Sequence, residues 1–225
     1  MSRIVITMPA YNEEKHIDTA IQDIFSAMKG KRYWIQVVSD GSTDKTNEIV
    51  IINGVKLIKK SHSGLANTFR VEMEQALTYN PDIIVHTDAD GQYNAEDIPK
   101  LIEAVENGAD LVLGNRLSGK LENMPFSKRI FNRLGSLFFS CAVHQYIPDF
   151  TTGFRAFTPR VAKMLIVSSY TYTIEQIVKA HLFNYKIVSI NVSSISRGNG
   201  KSHLMKSPAH YIWNTIKNWR LMYKR

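Results

Sequence analysis

The sequence predicts an α/β protein built on one open, mostly parallel sheet flanked by helices. Two observations carry that expectation. Over residues 1–115, short β-branched runs alternate with amphipathic runs of helical period, which is the pattern of repeated βαβ units. The polar clusters with chemical potential stand just after the apolar runs, where an open sheet keeps its ligand crevice outside the carboxyl ends of its strands.

Strands are predicted at Arg3–Met8, Ile35–Ser39, Val55–Ile58, Asp82–Thr87 and Asp110–Leu113. Between the first two, Ile17, Ala20, Ile21, Ile24, Phe25 and Met28 recur at helical spacing. Asn12 is placed to cap that helix, with Glu13 and Glu14 at the favourable positive end of its dipole. Further helices are expected at Thr43–Ile49, Ala66–Leu77, Ala95–Glu106 and Lys128–Ala142; Gly108 stands just beyond the end of the Ala95–Glu106 helix. The alternation loses its regularity near Lys120–Ser127.

A chain of 225 residues suits one domain plus an appendage. Its 44% hydrophobic and 21% charged content excludes both a disordered chain and a multi-span membrane protein. The longest apolar stretch, Leu137 to Val143, falls far short of the ~20 residues that cross a bilayer. Cys141, the single cysteine, has no internal partner and reads as core filling in a reducing compartment. The strand pattern that begins at Ile4 leaves no room for a signal peptide, so a cytoplasmic location is expected.

Net charge is +8, and its distribution says more than its total. No acid follows Glu175, while nine lysines and arginines lie between Lys179 and Arg225, leaving the rest nearly neutral. A local basic field suits a polyanion, an anionic membrane or a phosphate-bearing substrate. From Ser207-Pro208 onward, Ile212, Trp213, Ile216, Trp219 and Tyr223 share one helical face among Lys217, Arg220, Lys224 and Arg225. A basic amphipathic helix carrying tryptophan suits the membrane interface; packing on the domain is the alternative.

Three polar clusters carry the chemistry. Asp88-Ala89-Asp90-Gly91-Gln92 follows the apolar run Ile83-Ile84-Val85, and carboxylates two residues apart on an extended chain can converge on one divalent ion. The Gln92 amide oxygen is a possible further ligand. Hard oxygen donors favour Mg2+ or Mn2+, which neutralise a diphosphate leaving group, although Asp and Gly are also ordinary turn formers. Asp40 ends a second strand, where a carboxylate can accept from ribose hydroxyls; helix capping by Asp40, Ser42 or Asp44 is the competing role. Arg116, Arg155, Arg197 and Lys201 supply cations, and a guanidinium can grip phosphate through two parallel hydrogen bonds.

Pro9-Ala10-Tyr11-Asn12-Glu13-Glu14, then Ser39-Asp40-Gly41-Ser42-Thr43-Asp44, then Asp88-Ala89-Asp90-Gly91-Gln92, in that order, resemble the family 2 glycosyltransferases of the GT-A fold. Gly114-Asn115-Arg116, the segment Asp149-Phe150-Thr151-Thr152-Gly153-Phe154-Arg155 and the basic loop Arg197–Ser202 narrow the resemblance to dolichol-phosphate mannose synthases and other polyprenyl-phosphate glycosyltransferases. Ser39 departs from the family's usual acid pair, Asn115 from its serine, and Gly64-Leu65-Ala66 lacks a frequent second glycine. The resemblance implies nucleotide contacts from Pro9, Tyr11, Glu13 and Asp40. It implies metal and diphosphate contacts from Asp88, Asp90 and Gln92, and phosphate contacts from Arg116, Arg155, Arg197 and Lys201. It sets a GT-A domain at 1–205 and leaves 206–225 as a membrane-associating helix.

The acceptor question turns on proton chemistry. A sugar hydroxyl needs a general base, whereas a phosphate monoester, with a second pKa of about 6, is already ionised at neutral pH. Many cations and no obvious extra catalytic aspartate favour the phosphate, with Asp149 either a base or an orienter of Arg155. Glu175 is either a first-turn acid or a group near the acceptor. The expected enzyme therefore moves a hexose, mannose or glucose foremost, from a GDP- or UDP-sugar to a polyprenyl phosphate with inversion, peripherally on the cytoplasmic face of a membrane. A glycan-elongating transferase is the nearest alternative. A nucleic-acid or phospholipid binding module with a degenerate catalytic domain is the alternative of another class; no nucleic-acid partner is expected of the enzyme.

Overall fold

The computed structural model describes residues 2–118, 135–137, 139–140, 143–164, 166–167 and 172–193. The elements run β1 (Ile4–Ala10), α1 (Ile17–Ala27), β2 (Tyr33–Asp40), α2 (Thr46–Ile52), β3 (Lys56–Lys60), α3 (Leu65–Leu77) and β4 (Ile83–His86). A 3-10 turn at Ala95–Asp97 leads into α4 (Ile98–Glu106), then β5 (Leu111–Asn115), β6 (Arg155–Phe157), α5 (Pro159–Ala162), α6 (Tyr172–Leu182) and β7 (Ile187–Asn191). The strands join in one sheet of order β3-β2-β1-β4-β6-β5-β7. All are mutually parallel except β6, which runs antiparallel between β4 and β5.

Each of the five strands read from the sequence is present, within two residues of its expected bounds. Two more are added. Strand β6 is only Arg-Ala-Phe, too short and too charged to announce itself, and β7 lies on the sheet's edge with Val188, Ser189 and Ile190 part-exposed, so it lacks a buried strand's apolar run. Helix α2 begins at Thr46, three residues later than expected, because Asn12 of the loop after β1 and Asp44 of the loop before α2 bind the amides of Thr43 and Thr46. Nor does Asn12 cap α1. It turns the chain at φ 55° and accepts from the Thr43 amide at 2.8 Å, and α1 starts at Ile17.

The period of two along the strands sorts two cores. Ile4, Ile6 and Met8, with Val37, Ile83, Val85 and Val112, face α1 and α4. Val5, Ile84, Leu111, Leu113 and Phe157 face α3, α5 and α6. Sheet order reverses between β1 and β4, so the crevice opens where the end of β1 meets the end of β4. Because β6 runs the other way, its beginning reaches that edge, and it brings residues 149–154 to the mouth of the crevice.

Residues 135–137 and 139–140 are helical, within the helix expected over Lys128–Ala142. The rest of that helix, Cys141, Arg197, Lys201 and the segment 206–225 lie outside the described residues. Among the described residues no helix is long and apolar enough to cross a membrane.

Phe157 is fully buried, pairs with Ile84 and Leu111 in register, and lies 6.5 Å from the Phe69 ring. Phe157→Ala is expected to cost about 3–5 kcal/mol, seen as a lower urea midpoint at unchanged slope in equilibrium unfolding.

Candidate active site

The loops after β1 and β2 are laced together. Asn12 N donates to Ser42 Oγ at 3.1 Å, Glu13 N to Thr46 Oγ1 at 2.8 Å and Glu14 N to Asp44 Oδ2 at 3.1 Å. In return Asn12 Oδ1 accepts from Thr43 N and Glu14 Oε2 from Lys45 N. Asp44 accepts from the Thr46 amide at 3.0 Å just before α2, but the helix's N-cap position is Lys45 and carries no side-chain cap, so none of Asp40, Ser42 or Asp44 takes the capping role. Pro9 is a buried residue of β1, while Tyr11 stands 43% exposed with its ring 4.4 Å from that of His62.

Asp40 is nearly buried, and its carboxylate accepts from Ser63 N and Gly64 N, each at 2.9 Å, and pairs with Lys60. Burial opposes its ionisation, but Lys60 and the two amides outweigh it and hold the carboxyl below its ordinary range. In this arrangement Asp40 fixes the 61–64 turn, with His62 Nδ1 3.0 Å from its Oδ2. Gly41 has φ 77°, and a methyl group there would stand 2.8 Å from His62 N, so only glycine lets the two turns approach.

After β4 the chain carries Asp88, half-buried at the crevice floor, and Asp90, whose Oδ1 accepts from Gln92 N at 3.0 Å. Burial, reinforced by the negative charge of Asp90, pushes the Asp88 carboxyl up to about 6. Among the described residues no three His, Cys, Asp or Glu side chains gather into a metal cluster. Two neighbouring carboxylates, one of them with raised proton affinity, nonetheless fit a divalent cation that completes its shell with water and substrate phosphate oxygens, the usual habit of Mg2+. Asp88, Asp90 and Gln92 are the residues that could hold it.

Across the crevice Arg116, just after β5, is gripped by a carboxylate. Its Nε donates to Asp149 Oδ2 at 2.7 Å and its Nη2 to Asp149 Oδ1 and Thr151 Oγ1, both at 3.0 Å. The guanidinium also lies 5.9 Å from the Tyr93 ring centroid. Desolvation works against the Asp149 anion, but Arg116 and Thr151 hold its carboxyl below the ordinary range. Asp149 therefore orients Arg116 and not Arg155. Arg155 itself is fully buried, and its guanidinium donates to the carbonyls of Thr152, Thr173 and Phe150 and to Gln176 Oε1. The structure thus employs Arg155 to tie the 150–154 turn to α6, where its motif had suggested a phosphate. Glu175 is likewise interior, accepting from Val167 N at 2.9 Å and pairing with Lys179 at 3.0 Å.

Sequence reasoning missed several groups here. Tyr93 accepts from Gly153 N at 3.0 Å and stacks on Phe154. A buried polar group joins Thr7, Gln36, Glu72 and His86. The signal was available: Glu72 interrupts the apolar stripe Phe69, Met73, Ala76, and His86 ends an otherwise aliphatic strand. Buried, such residues need partners.

A mostly parallel sheet reversed at one point, with carboxylates after β4 and a held arginine after β5, fits the nucleotide-sugar transferase class that the motifs resemble. The chain belongs to glycosyl transferase family 2, whose family model matches residues 5–165, and it is a glycosyltransferase. It is 34% identical over 138 residues to the dolichol-phosphate mannosyltransferase of Pyrococcus furiosus, a match covering 58% of this chain and 38% of that protein. It is 26% identical over 215 residues to the undecaprenyl-phosphate mannosyltransferase of Micrococcus luteus, covering 90% and 87% of the two. Its fold superposes with a TM-score of 0.73 and 17% identity on glucosyl-3-phosphoglycerate synthase from Mycobacterium tuberculosis, crystallised with Mn2+, uridine diphosphate and glucosyl-3-phosphoglycerate. That match covers 96% of this chain and 79% of the other. The GT-A fold is thereby shown.

The Asp149 carboxyl titrates lower in the folded chain than in the unfolded one. Its stabilisation is therefore full above the unfolded carboxylate range, about pH 4, and is lost as pH falls through the lower folded value. Asp149→Asn is expected to cost roughly 3 kcal/mol at pH 7, with the gap to wild type closing below about pH 4. Urea unfolding of both proteins at about pH 7 and about pH 3 checks this.

Proposed function

We infer that this chain transfers a hexose, with inversion, from a nucleoside diphosphate sugar to a polyprenyl phosphate. Mannose or glucose is the hexose, and the donor is a GDP- or UDP-sugar. The observation that carries the acceptor is the Arg116–Asp149 fork. A hydroxyl acceptor needs a base at the crevice, yet the carboxylate best placed to serve is buried, doubly bonded to a guanidinium and held acidic. A phosphate monoester needs a cation instead, and Arg116 is presented as one. The names of the Pyrococcus and Micrococcus relatives agree with that class of acceptor.

In this reading the donor base lies by Pro9, Tyr11 and Asp40, with Glu13 near the ribose, and the diphosphate lies over Asp88, Asp90 and Gln92. When bound there, Mg2+ or Mn2+ would offset the charge of the departing nucleoside diphosphate. Arg116, kept from swinging by Asp149 and Thr151, orients the acceptor phosphate for in-line attack by its oxygen on the anomeric carbon. Arg197 and Lys201 add charge for the same phosphate. Residues 1–205 form the catalytic unit, and the basic amphipathic segment 206–225 holds it on the cytoplasmic membrane face, within reach of a lipid-borne acceptor.

The test is incubation of the purified protein with labelled GDP- and UDP-hexoses, Mn2+ or Mg2+ and a polyprenyl phosphate. Label is expected in the lipid phase. Label that enters only a soluble glycan would overturn the acceptor. Asp90→Ala is expected to lower transfer about a hundredfold or more while leaving the far-UV spectrum unchanged.

A further inference from the structure

We propose that His86, which touches neither donor nor acceptor in the reading above, is a positioning residue that sets the metal-binding carboxylate through the Gly153 peptide. The proposal rests on that reading of Asp88 and Asp90. His86 is fully buried on the α3 side of the sheet. Its Nδ1 lies 2.7 Å from Gly153 O, and its Nε2 lies 3.3 Å from Glu72 Oε2. A carbonyl oxygen can only accept, so Nδ1 must carry a proton and donate it. Glu72 faces the other nitrogen and is itself fixed: Thr7 Oγ1 donates to its Oε1 at 2.9 Å, and Gln36 Nε2 donates to Thr7 Oγ1 and to the Glu72 carbonyl. The ring is thus oriented by the Gly153 carbonyl on one side, while Glu72 faces it at ion-pair distance, with no hydrogen bond formed, on the other.

What it orients is the peptide against the site. A methyl group at Gly153 would stand 3.1 Å from both oxygens of Asp88, so the Gly153 backbone is the wall on which that carboxylate rests. The amide of Gly153 donates to Tyr93 Oη, and the Tyr93 ring in turn lies under Arg116. His86 pulls on the Gly153 carbonyl, Tyr93 holds its amide, and the residue between β4 and Asp88 is only Thr87. One buried hydrogen bond therefore sets the distance between the wall and the ligand.

Losing His86 alone would strand the buried Glu72 carboxylate and threaten folding, so the comparison belongs in a Glu72→Gln background. There the introduced carboxamide can still accept from Thr7 and donate to His86 Nε2, keeping the proton on Nδ1. Three proteins are titrated with Mn2+ in the presence of uridine or guanosine diphosphate, with bound metal followed by electron paramagnetic resonance. They are Glu72→Gln, Glu72→Gln with His86→Asn, and Glu72→Gln with His86→Phe. The asparagine amide reaches the place of Nδ1 and keeps a donor for Gly153 O; phenylalanine fills the space without one. The first two are expected to bind Mn2+ within about threefold of wild type, and the phenylalanine protein about ten- to a hundredfold more weakly, the usual range for loss of an outer-shell partner. Thermal melting confirms that all three are folded. Equal affinity of the asparagine and phenylalanine proteins overturns the proposal, provided Asp90→Ala has lost the metal. If Asp90→Ala binds Mn2+ like wild type, the metal reading of the site falls, and the proposal with it.

Discussion

The antiparallel entry of β6 between β4 and β5 is the constraint on which the site depends. Parallel strands deliver only their carboxyl ends to the crevice, and the loops after β1, β2, β4 and β5 accordingly carry Tyr11, Asp40, Asp88 and Arg116. By running backward, β6 delivers its start, and with it Asp149, Thr151 and Gly153, between the carboxylates of one strand and the arginine of the other. Arg155 secures the manoeuvre. Its guanidinium gathers three carbonyls and one amide oxygen around the turn, so the polar backbone of a buried loop is satisfied by a single side chain.

The site is therefore a balance of opposed charges held in low-dielectric surroundings. Asp88 is pushed up by burial and by Asp90, while Asp149 is pulled down by Arg116. Two aspartates on one crevice thus differ in task because their neighbours differ. The first is a carboxylate short of positive charge; the second has already found it.

Much of this was legible in the sequence. The βαβ rhythm located five strands, and the rule that function follows strand ends pointed to Asp40 and Asp88, both of which stand at the carboxyl ends of their strands, while Arg116 came from the family resemblance. The sequence leaves open those contacts whose partner lies far along the chain. Arg155 carries the same formal charge whether it meets a phosphate or four backbone and side-chain oxygens, and only the fold of residues 150–176 decides between them. Asp149 could be assigned to the correct kind of partner but not to the correct arginine, since Arg116 is 33 residues away. His86 and Glu72 betrayed themselves by polarity in apolar stripes, yet neither pattern alone says that the two meet.

The mutual lacing of the first two crevice loops has a consequence for chimeric design. Of the hydrogen bonds that cross between residues 12–14 and 42–46, five pair a backbone amide of one loop with a side chain of the other. The two segments are one module in two pieces. Transplanting either alone from a relative would leave amides without acceptors, so the two segments are best exchanged together, with α1 between them kept in place.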